Sequence, residues 1–202
     1  PDALRRRFLS PPAWQPEVVK ERRFTDREPA QAAVLIPLVM RGTQTASLTV
    51  LLTERTAHLS THSGQIAFPG GRVDESDADV TAAALREAYE EVGLEYRYVD
   101  VLGTLPVYTT GTAFQVTPVV ALVQPDFTLL PNAFEVADTF EVPLTFLMDP
   151  AHHQRHAFEW EGVRREWFSM PFHETVAGEV RERFIWGATA GMLRNFYRFL
   201  SA

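Results

Sequence analysis

A short strand-like run, GQIAFPGG (64–71), breaks on Pro69-Gly70-Gly71 and gives way within ten residues to a helix-forming stretch. The chain therefore leaves the strand through a Gly-Gly turn, where backbone can approach a ligand closely. From Val80 to Val92 the residues are good helix formers, with Asp77 or Asp79 available as N-cap and Gly93 as the stop. At the helical period Leu85, Ala88, Tyr89 and Val92 gather on one side, which predicts the face turned to the core. Glu87, Glu90 and Glu91 fall together on the opposite side. Like charges three and four residues apart cost roughly 0.2–0.5 kcal/mol per pair even at an exposed site. Something has to compensate. Arg86 can pair with Glu90 one turn on, and three such carboxylates can share one or two hard divalent cations that keep waters and leave room for substrate phosphates. A solvated acidic face is the alternative.

The rest of the chain supplies a sheet for this helix to cover. AAVLIPLVMR (32–41) and SLTVLLTER (47–55) read as strands joined by a turn at GTQTA. YVDVLGTLPVY (98–108) and AFQVTPVVALV (113–123) read as further strands around a TTG loop. NAFEVADTFEVPLTFLM (132–148) reads as a loop into a short helix, HAFEWEGVRREWFSM (156–170) as a hairpin turning at Glu161 and Gly162, and IWGATAGMLRNFYRFL (185–200) as a C-terminal amphipathic helix. Residues 1–31, rich in Pro and Arg, read as an extension packed on a single domain formed by 32–202. Strands interleaved with two main helices predict an α/β or α+β sandwich with a mixed sheet.

With 202 residues, 46% of them hydrophobic, the chain can bury one substantial core. No apolar run approaches the roughly 18 residues that a transmembrane helix needs. PDALRRRFLSPPAW carries basic residues with no apolar stretch behind them, so it does not read as a secretory signal. The absence of cysteine excludes disulfides and thiolate chemistry and fits a cytoplasmic protein. A net charge of −7 argues against nucleic acid as a partner.

GGRVDESDADVTAAALREAYEEVGL (70–94) resembles the Nudix box, with Gly71, Asp77, Arg86, Glu87, Glu90, Glu91, Gly93 and Leu94 in its places. It departs in having Asp77 where the box has Glu, and in eight rather than seven residues between that acid and Arg86. LLTERTAHLSTHSGQIAFPGG (51–71) is similar to the segment marking the coenzyme A pyrophosphatase branch, through Leu51, Leu52, Thr53, Arg55, Gly64 and Phe68-Pro69-Gly70-Gly71. Thr56 stands where that branch has Ser or Ala, and Ser60 where it has Arg. NAFEVADTFEVPLTFLMDP and IWGATAGML also look like it, so the resemblance spans roughly residues 33–197.

The resemblance implies a Nudix-like α/β/α sandwich that hydrolyses a pyrophosphate bond with Mg2+ or Mn2+. For coenzyme A or its derivatives the products would be 3′,5′-ADP and 4′-phosphopantetheine. Glu87 and Glu91 would be the principal metal ligands, Glu90 would support them, Arg86 would orient Glu90, and the Gly71 carbonyl would complete the set. Glu135 is the candidate base or further ligand, with Asp138 and Glu141 as rivals. Arg55 and Arg72 are candidate phosphate clamps, because guanidinium offers bidentate donors. Tyr108 is placed to stack on adenine or to join the core. The expected partner is a small-molecule nucleotide, with neither nucleic acid nor membrane, and a homodimer is compatible with the sequence. Two alternatives stay open: another nucleoside diphosphate derivative as substrate, and a module that senses a nucleotide without hydrolysing it. His152, His153 and His156 read as loop residues rather than a metal cluster, His62 as structural, and Trp160, Trp167 and Trp186 as core or interface.

Overall fold

The computed structural model describes residues 1–23, 25–42, 47–57, 64–160 and 163–202, except for the side chains of Trp160 and Val163. Most of the turn expected at GTQTA, the pair Glu161 and Gly162, and Ser60 and His62 lie outside these residues. The centre of the molecule is a mixed sheet built on β1 (Ala30–Met40) and β7 (Phe114–Val123), which run parallel through ten paired residues. Both strands are near-continuous apolar runs, as expected where a strand is covered on both faces. β2 (Leu48–Arg55) and β4 (Gly70–Arg72) pair antiparallel with β1, and β3 (Ile66–Ala67) extends β2. β5 (Val99–Thr104) and β6 (Tyr108–Thr109) pair with β7.

Helix α2 (Val80–Val92) covers one face through Ala83, Ala84, Ala88 and Val92, which pack on Ala33, Leu35 and Val119. The other face is covered by α4 (Gly187–Ser201), with Leu193, Phe196 and Phe199 against Ile36, Leu38 and Val120. The N-terminal helix α1 (Asp2–Leu9) lies on this side too, burying Leu4. Its Phe8 and the following Trp14 meet Phe199 at ring-centroid distances of 4.8 and 5.3 Å. The architecture is an α/β/α sandwich with a mixed sheet, as the sequence predicts.

Three stretches depart from the sequence reading. Residues 136–143 form a strand, β8 (Val136–Pro143), paired along β2, and the short helix α3 (Leu144–Leu147) follows it. Phe140, Leu144 and Leu147 are spaced like one helix face, but the two-residue alternation of Val136, Phe140 and Val142 meets an open sheet edge and prevails. The hairpin strands β9 (Gln154–Trp160) and β10 (Val163–Val176) gain an unforeseen partner, β11 (Glu179–Trp186), making a separate three-stranded sheet. Helix α4 consequently starts at Gly187, whose φ of 63° turns the chain out of β11, instead of at Ile185. The third departure is the face of α2, described with the site it forms.

Candidate active site

The start and stop of α2 are set locally. Asp79 is the N-cap, its carboxylate accepting from the Ala82 amide at 2.8 Å, and Gly93 closes the helix in the left-handed conformation at φ 71°. Asp77, the other proposed cap, does different work. Its two oxygens each accept from Arg86 at 2.9 Å, and one also accepts from the Asp74 amide at 2.8 Å. An Asx turn at Asp74, which binds Ser76, folds the longer loop so that the acid still reaches the helix.

The buried side of α2 is rotated from the predicted one. Tyr89 is 53% exposed and pairs with Tyr96, while Glu91 is only 5% exposed. Three small alanines let the helix lie close to β1 and β4, and this brings Glu91 inward over Gly70. One Glu91 oxygen accepts from the Gly70 amide at 3.1 Å and the other lies 4.0 Å from Arg55 Nη1. Burial pushes its pKa up to about 7 against these two groups, and Glu87 and Glu135 add repulsion. Glu87 is raised as well, chiefly by burial. Its carboxylate lies against the bare Cα of Gly71, where a Cβ would come within 2.5–2.6 Å of all three carboxylate atoms.

Arg86 holds the acidic face together. One guanidinium nitrogen donates to Glu87 and to Glu90 at 3.0 Å each, and another donates to the Arg72 carbonyl at 3.1 Å as well as to Asp77. These bonds, in addition to the expected pairing with Glu90, offset the repulsion that the sequence exposes. Among the described residues no three acidic or histidine side chains already close around a common ion position. The donor set nevertheless suits a hard cation. It is all oxygen, two of its carboxylates are pushed toward protonation, and the cation beside Glu91, Arg55, stops at 4.0 Å.

Glu135 stands in a turn tied to the same place, since the Asn132 amide donates to the Glu91 carbonyl at 2.8 Å and Asn132 Nδ2 donates to Glu135 at 3.3 Å. Thr56 fixes the other side of this turn, its hydroxyl donating to the Phe134 carbonyl and its amide to that of Glu135, at 2.9 and 3.0 Å. The rival acids are engaged elsewhere: Asp138 binds Arg181 and Arg183, and Glu141 binds Arg41 and Thr49. Arg55, Gly70 and Gly71 open onto a cavity of about 1170 Å³ between the sheet, α4 and the β9–β10 hairpin. Arg55 Nε is buried there without a hydrogen-bond partner among the described residues. Arg72 is exposed at the end of β4 and does not line this cavity.

Tyr108 is not available for stacking. It is 2% exposed, its ring packs on Gly191, and its hydroxyl donates to Glu21 at 2.8 Å. Sequence reasoning missed Trp167 and Trp186 as cavity walls, because nothing in their spacing separates a wall from a core. Three histidines are engaged within the protein: His152 binds the Phe146 carbonyl and stacks on its ring, His153 binds the Leu147 carbonyl, and His156, in β9 instead of a loop, binds Ser169.

Comparison with known proteins finds relatives of the whole domain. The model of the family described as "NUDIX domain" matches residues 29–171. A protein of Citrobacter koseri named "Uncharacterized Nudix hydrolase NudL" is 44% identical over 166 residues, covering 82% of this chain and 80% of that one. Its namesake in Shigella flexneri is 42% identical over 174 residues, with 84% of each chain covered. Among solved structures, a MutT/nudix family protein from Enterococcus faecalis superposes with a TM-score of 0.51 at 16% identity, over 88% of this chain and 64% of that one, a likeness of fold.

Proposed function

The chain belongs to the Nudix family of hydrolases, and we propose that it cleaves the pyrophosphate bond of coenzyme A or a derivative, with Mg2+ or Mn2+ held by Glu87 and Glu91. The observation that carries this reading is the pair of desolvated carboxylates packed on Gly70 and Gly71, two glycines that with Arg55 also line a cavity large enough for a nucleotide conjugate. Glu90 and the Gly71 carbonyl complete the ligand set. A cation bound there supplies charge neutralisation at the scissile phosphates and lowers the pKa of a coordinated water. The chain's own residues do the positioning. Arg86 fixes the carboxylates of Glu87 and Glu90, the Gly70 amide and Arg55 fix Glu91, and Glu135 accepts the proton of the attacking water at its carboxylate. Arg55 also meets a substrate phosphate, which satisfies its unpaired Nε. Arg72 at the rim meets only the solvent side of a substrate.

Coenzyme A is favoured by the branch-like residues of the strand that presents Arg55. Thr56, a departure from that pattern, has a place in this account because it braces the turn carrying Glu135. The test is product analysis after incubation with coenzyme A in magnesium, in manganese and in chelator. Appearance of 3′,5′-ADP and 4′-phosphopantetheine only with metal supports the proposal. Survival of coenzyme A while ADP-ribose or a dinucleoside polyphosphate is cleaved moves the substrate. Survival of all of them indicates a sensing module.

A further inference from the structure

The far wall of the cavity is formed by residues 17–22, which precede the span matched by the family model. This strap is firmly built in. Buried Asn195 accepts from the amides of Glu17 and Val18 and donates to the Val18 carbonyl. The Thr109 amide donates to the Val19 carbonyl, and the Glu21 amide donates to that of Thr109, so the strap adds to the edge of β6. Its acids are spent on the protein. Glu17 accepts from Arg194, and Glu21 accepts from the Tyr108 hydroxyl and the Gly111 amide, each at 2.8 Å. Its cations are not. Lys20 and Arg22 are exposed, line the cavity, and make no ion pair or side-chain hydrogen bond among the described residues. Two arginines of the hairpin, Arg155 and Arg164, also line the cavity but share the Glu166 carboxylate.

The sheet register gives the separation. Gly71 pairs with Ala33 and Ala33 with Thr117; two residues along β7, Gln115 pairs with Thr109, which bridges to Lys20. Four interstrand steps of roughly 4.8 Å put Gly71 and Lys20 about 19 Å apart. That is a backbone separation; the Lys20 side chain reaches back over roughly 6 Å of it, which leaves room between for a diphosphate at Gly71 and a monoester on the same ribose. Resting on the reading of the site as a coenzyme A diphosphatase, we propose that Lys20 and Arg22 bind a second phosphate of the substrate, a monoester on the nucleoside remote from the scissile bond. An ammonium and a guanidinium freed of carboxylates suit a phosphate dianion, and they concentrate positive charge in a protein whose net charge is −7.

The test uses ligands that differ by that phosphate alone. Calorimetric titration of the intact protein with 3′,5′-ADP and with 5′-AMP is compared with the same titrations of the double variant Lys20→Ala/Arg22→Ala, whose melting temperature serves as the folding control. The wild type is expected to prefer 3′,5′-ADP by about tenfold or more, the range of charge-assisted hydrogen bonds. The variant should lose this preference, leaving 5′-AMP unaffected. Its KM for coenzyme A should rise toward that for 3′-dephospho-coenzyme A with kcat unchanged. A wild type that does not discriminate, a variant that still does, or an equal loss for both ligands overturns the assignment. Strap-dependent preference in a protein that leaves coenzyme A uncleaved sinks the proposed reaction and leaves the phosphate site standing.

Discussion

Replacing Gly71 by Ala places one methyl group against the acid site. The nearest atoms to the new Cβ are Cδ, Oε1 and Oε2 of Glu87, at 2.5–2.6 Å, where ordinary contact begins at 3.4 Å. The backbone of Gly71 is not in the left-handed region, so alanine is conformationally allowed, and the obstructing group is the end of a side chain that can swing aside. The carboxylate must therefore retreat by roughly 0.8 Å, given those distances. Displacements of about 1 Å at a reacting centre cost on the order of a hundredfold in rate, or about 2.7 kcal/mol of barrier. Steady-state turnover of coenzyme A in magnesium should fall by that factor, while a thermal melt shows a stability change of no more than about 1 kcal/mol. Gly70→Ala is the contrasting control. There the Cβ meets the Ala33 carbonyl oxygen at 2.4 Å and Val34 Cα at 2.6 Å, backbone that cannot swing away, so the fold itself should lose about 3 kcal/mol. Full activity in Gly71→Ala would refute the role given to Glu87, and unfolding of that variant would refute the picture of a yielding side chain.

Other perturbations test the supports of the site. Arg86→Ala removes the shared partner of Asp77, Glu87 and Glu90, and a denaturant titration should register a loss of about 2 kcal/mol, moderated by the exposure of Glu90. Tyr108→Phe deprives Glu21 of a donor, which should cost about 1 kcal/mol and open the strap to limited proteolysis around residues 17–22. Arg183, 3% exposed, binds Glu54, Asp138 and Glu174, and Arg183→Met should destabilise by about 3 kcal/mol at neutral pH, measured by denaturant. The cluster also sets an acid dependence. Burial alone would raise the pKa of Asp138, but hydrogen bonding and charge from Arg183 outweigh it and hold the pKa below its ordinary value. A depressed carboxylate stabilises the fold above its unfolded pKa of about 3.9, and that stability is lost as pH falls through the folded value. Melting temperatures of wild type and Arg183→Met should therefore converge below about pH 4.

What the sequence discloses follows from where its signals are local. Val80–Val92 is delimited by Asp79 and Gly93, a cap and a stop that act within a few residues, and both are legible without tertiary context. β1 and β7 are apolar throughout because both of their faces are covered. The face of α2 is less legible: ranking Leu85 and Tyr89 above Ala83 and Ala84 puts bulk before fit, whereas the sheet accepts the small side chains and turns Glu91 inward. β11 hides for a related reason. Its inward positions are Arg183 and Ile185, and an arginine neutralised by acids on other strands does not read as core. Glu135 could be singled out from the resemblance, but its nearness to Glu87 and Glu91 depends on the turn at Asn132 and on Thr56, contacts between residues far apart in the chain. The bond from Tyr108 to Glu21 is of the same kind and spans 87 residues.

The claim on which the account turns is that Glu87 and Glu91 hold a divalent cation. It is tested most directly by calorimetric titration of Mn2+ into the wild type and into Glu87→Gln/Glu91→Gln, without substrate and with matched melting curves. The account predicts saturable binding to the wild type and its loss in the variant, whose fold persists. Equal binding to both proteins, or none to either, would contradict it.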